Sequence, residues 1–263
     1  MQQHSFSQKP IRSLVIAAHF DDVEFMAYSA IAESLQSTDK GIAALVITNG
    51  AGSARAGKFA HTTDEQMIQL RVQEQIKAAE LGQYSQLTML LHPSSFVAQQ
   101  PDELIEQISQ IIKDTKPEIL YTHNPFDKHP THIAVCKAVV KAVKQLPQNA
   151  RPQSMIGCEV WRGLDWLEDT QKVPLDTSYN PEFAKKLFGV FETQIAGGKN
   201  YGNAVLGRYT SNATFYNPKE IDTTTALSYG IDMTPLIKID LSLVQFATMH
   251  LNHFKIDVLQ ALE

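Results

Sequence analysis

His19, Asp21 and Asp22 lie within four residues of one another, directly after the apolar run Leu14-Val15-Ile16-Ala17-Ala18. One imidazole and two carboxylates can together hold a divalent cation and move a proton. A second group of the same kind occurs far along the chain, in His123-Asn124-Pro125-Phe126-Asp127-Lys128-His129-Pro130-Thr131-His132. Catalytic zinc sites commonly take three protein ligands and leave a position open, and His19, Asp22 and His132 make such a set. Iron(II) accepts two imidazoles and a carboxylate as well, so the donor types admit both Zn2+ and Fe2+. Asp21, adjacent to the ligand Asp22 but pointing elsewhere, is the expected base for an activated water. His129 precedes His132 by three residues at a helix start, so the two share a face. We expect His129 as an imidazolium beside the reacting carbonyl, with Asp127 orienting its ring. His123, just past a strand, reads as a satisfied loop residue.

Aspartates near a helix start are also favoured by capping and by the helix dipole. Capping does not account for a histidine beside them, nor for a second His-rich segment, so the joint occurrence carries the metal-site reading. Arg71, Glu74 and Lys77 recur at spacings of three on one helix. They form either a salt-bridged surface or, through Arg71, a cation for substrate or oxyanion. Gln194 and Arg208 stand in stretches where aromatic and hydrogen-bonding residues mix, as sugar recognition requires, and both are expected to contact substrate.

For these residues to meet, the elements between them must return them to one place. Leu14–Ala18 reads as a buried strand, Val23–Leu35 as a helix and Ile42–Ile47 as a second strand. A Gly- and Ser-rich loop over Thr48–Thr63 leads into an amphipathic helix over Asp64–Leu81, stopped by Gly82. A strand at Leu87–Leu91, a helix at Asp102–Lys113, a strand at Glu118–Thr122 and a helix at Ile133–Lys144 follow. Such alternation predicts a Rossmann-like three-layer α/β domain with a mostly parallel sheet. Ligands bind such sheets at the carboxyl ends of the strands, which is where His19 and His132 would meet. Beyond Pro147 the pattern weakens to a strand near Ile156–Trp161, a helix near Pro181–Ile195 and a helical tail over Asp240–Leu262. No linker divides the chain, so residues 1–263 read as a single domain, with a core over 12–145 and a substrate-side and C-terminal extension over 146–263.

With a net charge of −5 there is no basic footprint for nucleic acid. No apolar stretch reaches the ~18 residues of a membrane span, and Met1–Pro10 lacks the apolar core of a secretory signal, so a cytoplasmic location is expected. Cys136 and Cys158 are in no Cys-x-x-Cys arrangement and read as buried free thiols. The glycines form no dinucleotide fingerprint and no P-loop, which disfavours a nucleotide cofactor. A homo-oligomer is left open.

The pair Ala18-His19-Phe20-Asp21-Asp22-Val23-Glu24 and His129-Pro130-Thr131-His132 resembles the signature of the PIG-L (LmbE-like) family of N-acetylglucosaminyl deacetylases. Arg71-x-x-Glu74 with Ala78, Leu81 and Gly82, Thr48-Asn49-Gly50 and Glu192-Thr193-Gln194 add to the resemblance, which is firm over about residues 12–145. It implies zinc-dependent removal of acetyl from an N-acetylglucosamine-type sugar or its conjugate. By position it implies His19, Asp22 and His132 as ligands, Asp21 as base, His129 as electrostatic or acid partner, Asp127 as its orienting group and Arg71 at the substrate. Phe20 replaces the usual proline or small residue, with an expected effect on the entrance or the turn, and Thr131 replaces the usual aspartate. The expected protein is thus a zinc-dependent N-deacetylase. A hydrolase of another amide or ester, or a carbohydrate-binding module without turnover, stands as the alternative.

Overall fold

A computed structural model describes residues 1–263. Eight strands form one sheet: β1 (Gln2–His4), β2 (Ile11–Ala17), β3 (Gly41–Thr48), β4 (Gln86–His92), β5 (Ile119–His123), β6 (Ser154–Cys158), β7 (Lys172–Asp176) and β8 (Leu227–Asp232). The helices are α1 (Asp22–Met26), α2 (Tyr28–Gln36), α3 (Asp64–Leu81), α4 (Ser94–Gln99), α5 (Asp102–Thr115), α6 (Pro130–Gln145), α7 (Pro181–Phe188), α8 (Glu192–Ala196), α9 (Tyr201–Thr214), α10 (Thr234–Lys238) and α11 (Leu243–Leu262). The strand order is β1-β4-β3-β2-β5-β6-β8-β7. From β4 to β6 all neighbours are parallel, whereas β1, β8 and β7 each pair antiparallel at the edges.

Parallel strands buried on both faces read as continuous apolar runs, and their alternate side chains feed two cores. In β2, Leu14 and Ile16 enter a core shared with α5 and α6, while Val15 and Ala17 enter one shared with α1, α2 and α7. In β3, Ala43 and Leu45 face the first core, and Ile42 and Ala44 the second. The cores hold 35 and 29 buried residues, so neither face of the sheet is left bare and the expected three-layer α/β architecture is present.

The first strand in the parallel series, β2, lies between β3 and β5. Chain progression therefore reverses direction between β2 and β5, and their carboxyl ends border the crevice that such a switch point opens. β2 runs into His19–Asp22 and β5 runs into the loop before α6, so the two chemical segments issue from adjacent strands.

Some elements differ from the sequence reading. The helix expected over Val23–Leu35 is two helices, broken at Ala27 (φ −130°, ψ 29°). The one expected over Pro181–Ile195 ends at Phe188 with Gly189 as its C-cap, and restarts at Glu192. The strand expected over Ile156–Trp161 stops at Cys158. β1, β7 and β8 escaped the periodicity because they are short antiparallel strands, and Pro174 within β7 speaks against a strand except at an edge, which is where β7 lies. α4 and α9 were also unforeseen.

Candidate metal centre and active site

Asp21 has φ 86°, a left-handed conformation that turns the chain sharply between β2 and α1. The turn directs the Asp22 carboxylate at His19, whose backbone N–H donates to Asp22 Oδ2 at 2.8 Å. His19 Nδ1 stands 3.1 Å from Asp22 Oδ2 and 3.1 Å from His132 Nε2, and His132 Nε2 stands 3.2 Å from Asp22 Oδ2. Three donor atoms from two distant segments thus form a nearly equilateral triangle. Tetrahedral zinc with bonds of ~2.0–2.1 Å sets its ligands ~3.3 Å apart, so the triangle fits a small divalent cation. A single proton could join only two of the three atoms. Other donors crowd the same point: those of His19, His129 and His132 lie within 4.8 Å of one another, as do those of Asp22, His123 and His132.

α6 positions the second segment. Pro130 occupies its first turn, and His129 caps it by accepting from Thr131 N–H through Nδ1 at 3.3 Å. Accepting through Nδ1 leaves the ring proton on Nε2. Burial, with His132 and His19 beside it, pushes His129 down to about 4. His129 is therefore a neutral hydrogen-bond donor, which corrects the imidazolium expected from the sequence.

Asp127 also differs from expectation. Its Oδ2 accepts from His132 Nδ1 at 3.1 Å and from Trp161 N–H at 3.1 Å, and only the backbone N–H of His129 reaches its Oδ1, at 3.0 Å. The carboxylate orients the His132 ring rather than the His129 ring. Such a carboxylate–imidazole pair fixes which nitrogen of a ligating histidine faces the metal. Against the cost of burial, Asp22 and Asp127 raise His132 to about 9, while the histidines around Asp22 hold that carboxylate well below its usual range.

His123 is fully buried rather than a loop residue in solvent. Its Nε2 accepts from Ala18 N–H at 2.9 Å and its ring stacks on His132 at a centroid distance of 3.9 Å. Burial first, then His132, pushes it well down, so it is a neutral wall behind the ligand trio. The strand end that pointed to His129 and His132 applies equally to His123, which is the last residue of β5.

In front of the trio opens a cavity of about 450 Å3. His19, Asp21, Asp22, Arg71, His129, Gln194 and Arg208 line it, whereas Asp127 and His132 stand behind. Arg71 is 1% exposed, and its Nε and Nη2 have no partner in the protein. Arg208 is partly committed elsewhere, donating to the Val160 carbonyl. Phe20 does not reach the entrance: it is fully buried, and its ring would meet a Cβ at Gly50 at 2.9 Å, which with φ 71° holds that position to glycine.

Sequence reasoning missed Trp161 and Tyr201, which line the cavity 6.0 Å apart, with Lys128 and Lys199 over the Trp161 ring. Trp161 follows β6, so the rule that singled out the ends of β2 and β5 would have found it. A buried network beneath Asp21 was missed too. Gln75 Oε1 accepts from Asp21 N–H at 3.4 Å, and Gln75 Nε2 and Tyr84 Oη both donate to Glu24 Oε1 at 2.7 Å. Burial raises Glu24 to about 7. Burial, then the neighbouring Asp22 charge, pushes Asp21 well above the usual carboxylate range, against the pull of Arg71. A raised carboxyl beside a cavity suits proton uptake near neutrality.

Residues 14–143 match the model of the GlcNAc-PI de-N-acetylase family, PIG-L. A Bacillus cereus protein, probable N-acetyl-alpha-D-glucosaminyl L-malate deacetylase 2, is 30% identical over 143 residues, or 53% of this chain and 64% of that protein. The match thus spans less than two thirds of the relative. Among solved structures, N,N'-diacetylchitobiose deacetylase from Pyrococcus horikoshii superposes with a TM-score of 0.68 at 14% identity, covering 90% of this chain and 88% of its own. The 4-carboxy-2-hydroxymuconate hydratase of Pseudomonas putida KT2440 gives 0.64 at 15% identity, covering 88% of this chain and all of its own. At these identities the likeness is one of fold.

Proposed function

From the match of residues 14–143 to the PIG-L family model we propose that the protein belongs to that family and is a metal-dependent hydrolase that removes the acetyl group from an N-acetylglucosamine-type sugar or its conjugate. The observation that carries the reading is the triangle of His19, Asp22 and His132 donors, 3.1–3.2 Å on each side, opening onto a cavity where Asp21 and His129 also stand. His19, Asp22 and His132 would hold the cation, with zinc the proposed metal and Fe2+ the alternative that the donors accept. When bound, the cation supplies Lewis acidity toward an acyl oxygen and makes a water molecule more acidic.

The chain's own residues supply the rest. Asp21 takes the proton of the attacking water and, with its raised proton affinity, can return it to the departing amine. His129 donates through Nε2 to the oxygen on which negative charge develops, a role a neutral imidazole fills without a proton transfer. Asp127 holds His132 in its tautomer. Arg71, buried with two unpaired nitrogens, would bind the carboxylate that the acyl group becomes. Trp161 and Tyr201 offer flat apolar faces to a sugar ring, and Gln194 and Arg208 offer hydrogen bonds at the cavity wall.

We further propose that residues 1–263 act as one domain, supported by β7 and β8, which extend the sheet built by the first half. No helix is long and apolar enough to cross a membrane. A cytoplasmic location belongs to the same proposal, supported by Cys136 and Cys158, both buried and free.

Acetate release from N-acetylglucosamine conjugates, measured together with metal content for the wild type and His132→Ala, tests the reading. The expected result is about one metal per chain and acetate release in the wild type, with both lost in the variant. Metal without acetate would redirect the assignment to another acyl group, and no metal in either would overturn it.

A further inference from the structure

The C-terminal helix α11 is buried over its first turns only; beyond them its contacts with the body are at its side, Phe254 edge-on to Trp166 at 5.6 Å and His253 beside Gln171. Phe246 is 2% exposed, and the His250 ring packs on Phe246 at 4.5 Å and on Phe126 at 6.2 Å. From Leu251 to Glu263 every residue is exposed. That free part is not a polar tail: Leu251 is 51% exposed, Val258 40% and Leu262 78%. An isolated helix shorter than ~12–15 residues is marginal in water, and a helix this apolar is normally covered.

The apolar residues are ordered, and all but Ala247, which also packs against the core, and Phe254, which also meets Trp166, face solvent alone. Val244, Ala247, Leu251, Phe254, Val258 and Ala261 recur at alternating intervals of three and four, the heptad spacing with which one helix packs along another. Val244, Leu251, Phe254, Val258, Leu259 and Leu262 lie on or beside this seam and present on the order of 600 Å2 of apolar surface, at ~100 Å2 for each, the lower end of one partner's share of a specific interface, while Met249 and Ile256 lie on the opposite face. One partner's share of a standard protein interface is ~800 Å2. Charge also narrows the choice of partner. Lys255, Asp257 and Glu263 are the only charged residues from Leu243 to the end, so the helix has no basic face for an anionic lipid surface and no sign bias toward a charged partner.

We infer that two copies of this chain associate through α11, the heptad seam of one helix packing against that of the other across a two-fold axis. No residue of α11 lines the cavity, so pairing along this helix leaves the lining side chains out of the seam. The inference does not rest on the proposed chemistry.

Sedimentation of the full chain from about 1 to about 100 µM, a range that brackets micromolar association, tests it. The expected mass is twice the 29.3 kDa of one chain. Leu251→Lys combined with Val258→Lys is expected to restore the single-chain mass with circular dichroism unchanged, since both side chains are exposed in one copy. Hydrogen exchange supplies a readout that needs no variant: amides of residues 251–262 should be protected at high concentration and exchange faster on dilution. A single-chain mass at the highest concentration, a doubled mass that persists in the double variant, or flotation of single copies with phosphatidylcholine vesicles would each overturn the inference.

Discussion

The Asp127 carboxylate accepts from His132 Nδ1 and from the backbone of Trp161, so removing it frees the ring of a proposed ligand without touching the ligand trio. Asp127→Asn is expected to weaken metal affinity by 10–100-fold, measured by competition with a chromogenic chelator, while the fold is retained. Asp21→Asn should behave oppositely. Metal content should stay at the wild-type level and acetate release should fall by about 100- to 10,000-fold, because the proton acceptor is lost but Asp22 and the histidines are not. An Asp21→Asn protein with unimpaired turnover would remove Asp21 from the role of base. Both residues were legible in the sequence, because a carboxylate or imidazole at a strand end is costly to explain as packing. Their partners were less so. Nothing in the sequence says that Asp127 faces His132 rather than His129, since residues two and five apart are equally near before the loop is folded, and the neutral state of His129 follows from burial that only the assembled site creates.

At the scale of elements, the cavity wall depends on a tie between α3 and α8. Glu74 on α3 accepts from Thr193 N–H at 2.7 Å and from Thr193 Oγ1 at 2.6 Å, at the start of the short helix that carries Gln194. Glu74→Ala is expected to cost about 1.5–3 kcal/mol, the range for a hydrogen bond to a charged group, read from urea unfolding, and to raise KM more than it lowers kcat. In the sequence, Arg71, Glu74 and Lys77 read as a salt-bridged face or a route for Arg71 to the site. Helical spacing alone could not separate the two, because it fixes the angle between residues on α3 but not which angle faces the sheet. α11 supplies a second prediction. Burial, then the neighbouring His253, lowers the pKa of His250. An imidazole held below its ordinary value of ~6.5 binds protons better when released, so the docking it supports is present above that value and is lost as pH falls through it. Amide protection over residues 243–250 should therefore fall between about pH 7 and pH 5, and His250→Phe should remove the pH dependence.

For the whole molecule, the sheet and its two cores are built without the proposed ligands: His19, Asp22 and His132 belong to neither apolar core. Chelation is thus expected to abolish acetate release and lower the melting temperature by mass action alone, leaving the far-ultraviolet circular dichroism of the folded protein unchanged. Loss of secondary structure on chelation would show a metal that folds the chain rather than one that serves it. The parallel centre of the sheet was readable because its strands are doubly buried and its helices regular. The antiparallel edge was not, because β7 and β8 are short and pair with strands distant in sequence, β8 with β6 and β7 with β8. Trp161 and Tyr201 belong to that poorly legible half, so of the wall facing the substrate the sequence singled out Arg71, Gln194 and Arg208 but not these two rings.

The backward turn at residue 21 limits what can ever stand there. A positive φ is comfortable for glycine and tolerated by asparagine and aspartate, and costs other residues about 1–2 kcal/mol. Of the three, aspartate alone takes up a proton at its side chain. Shape and reactivity therefore select the same residue independently, and the position has almost no neutral path along which to drift.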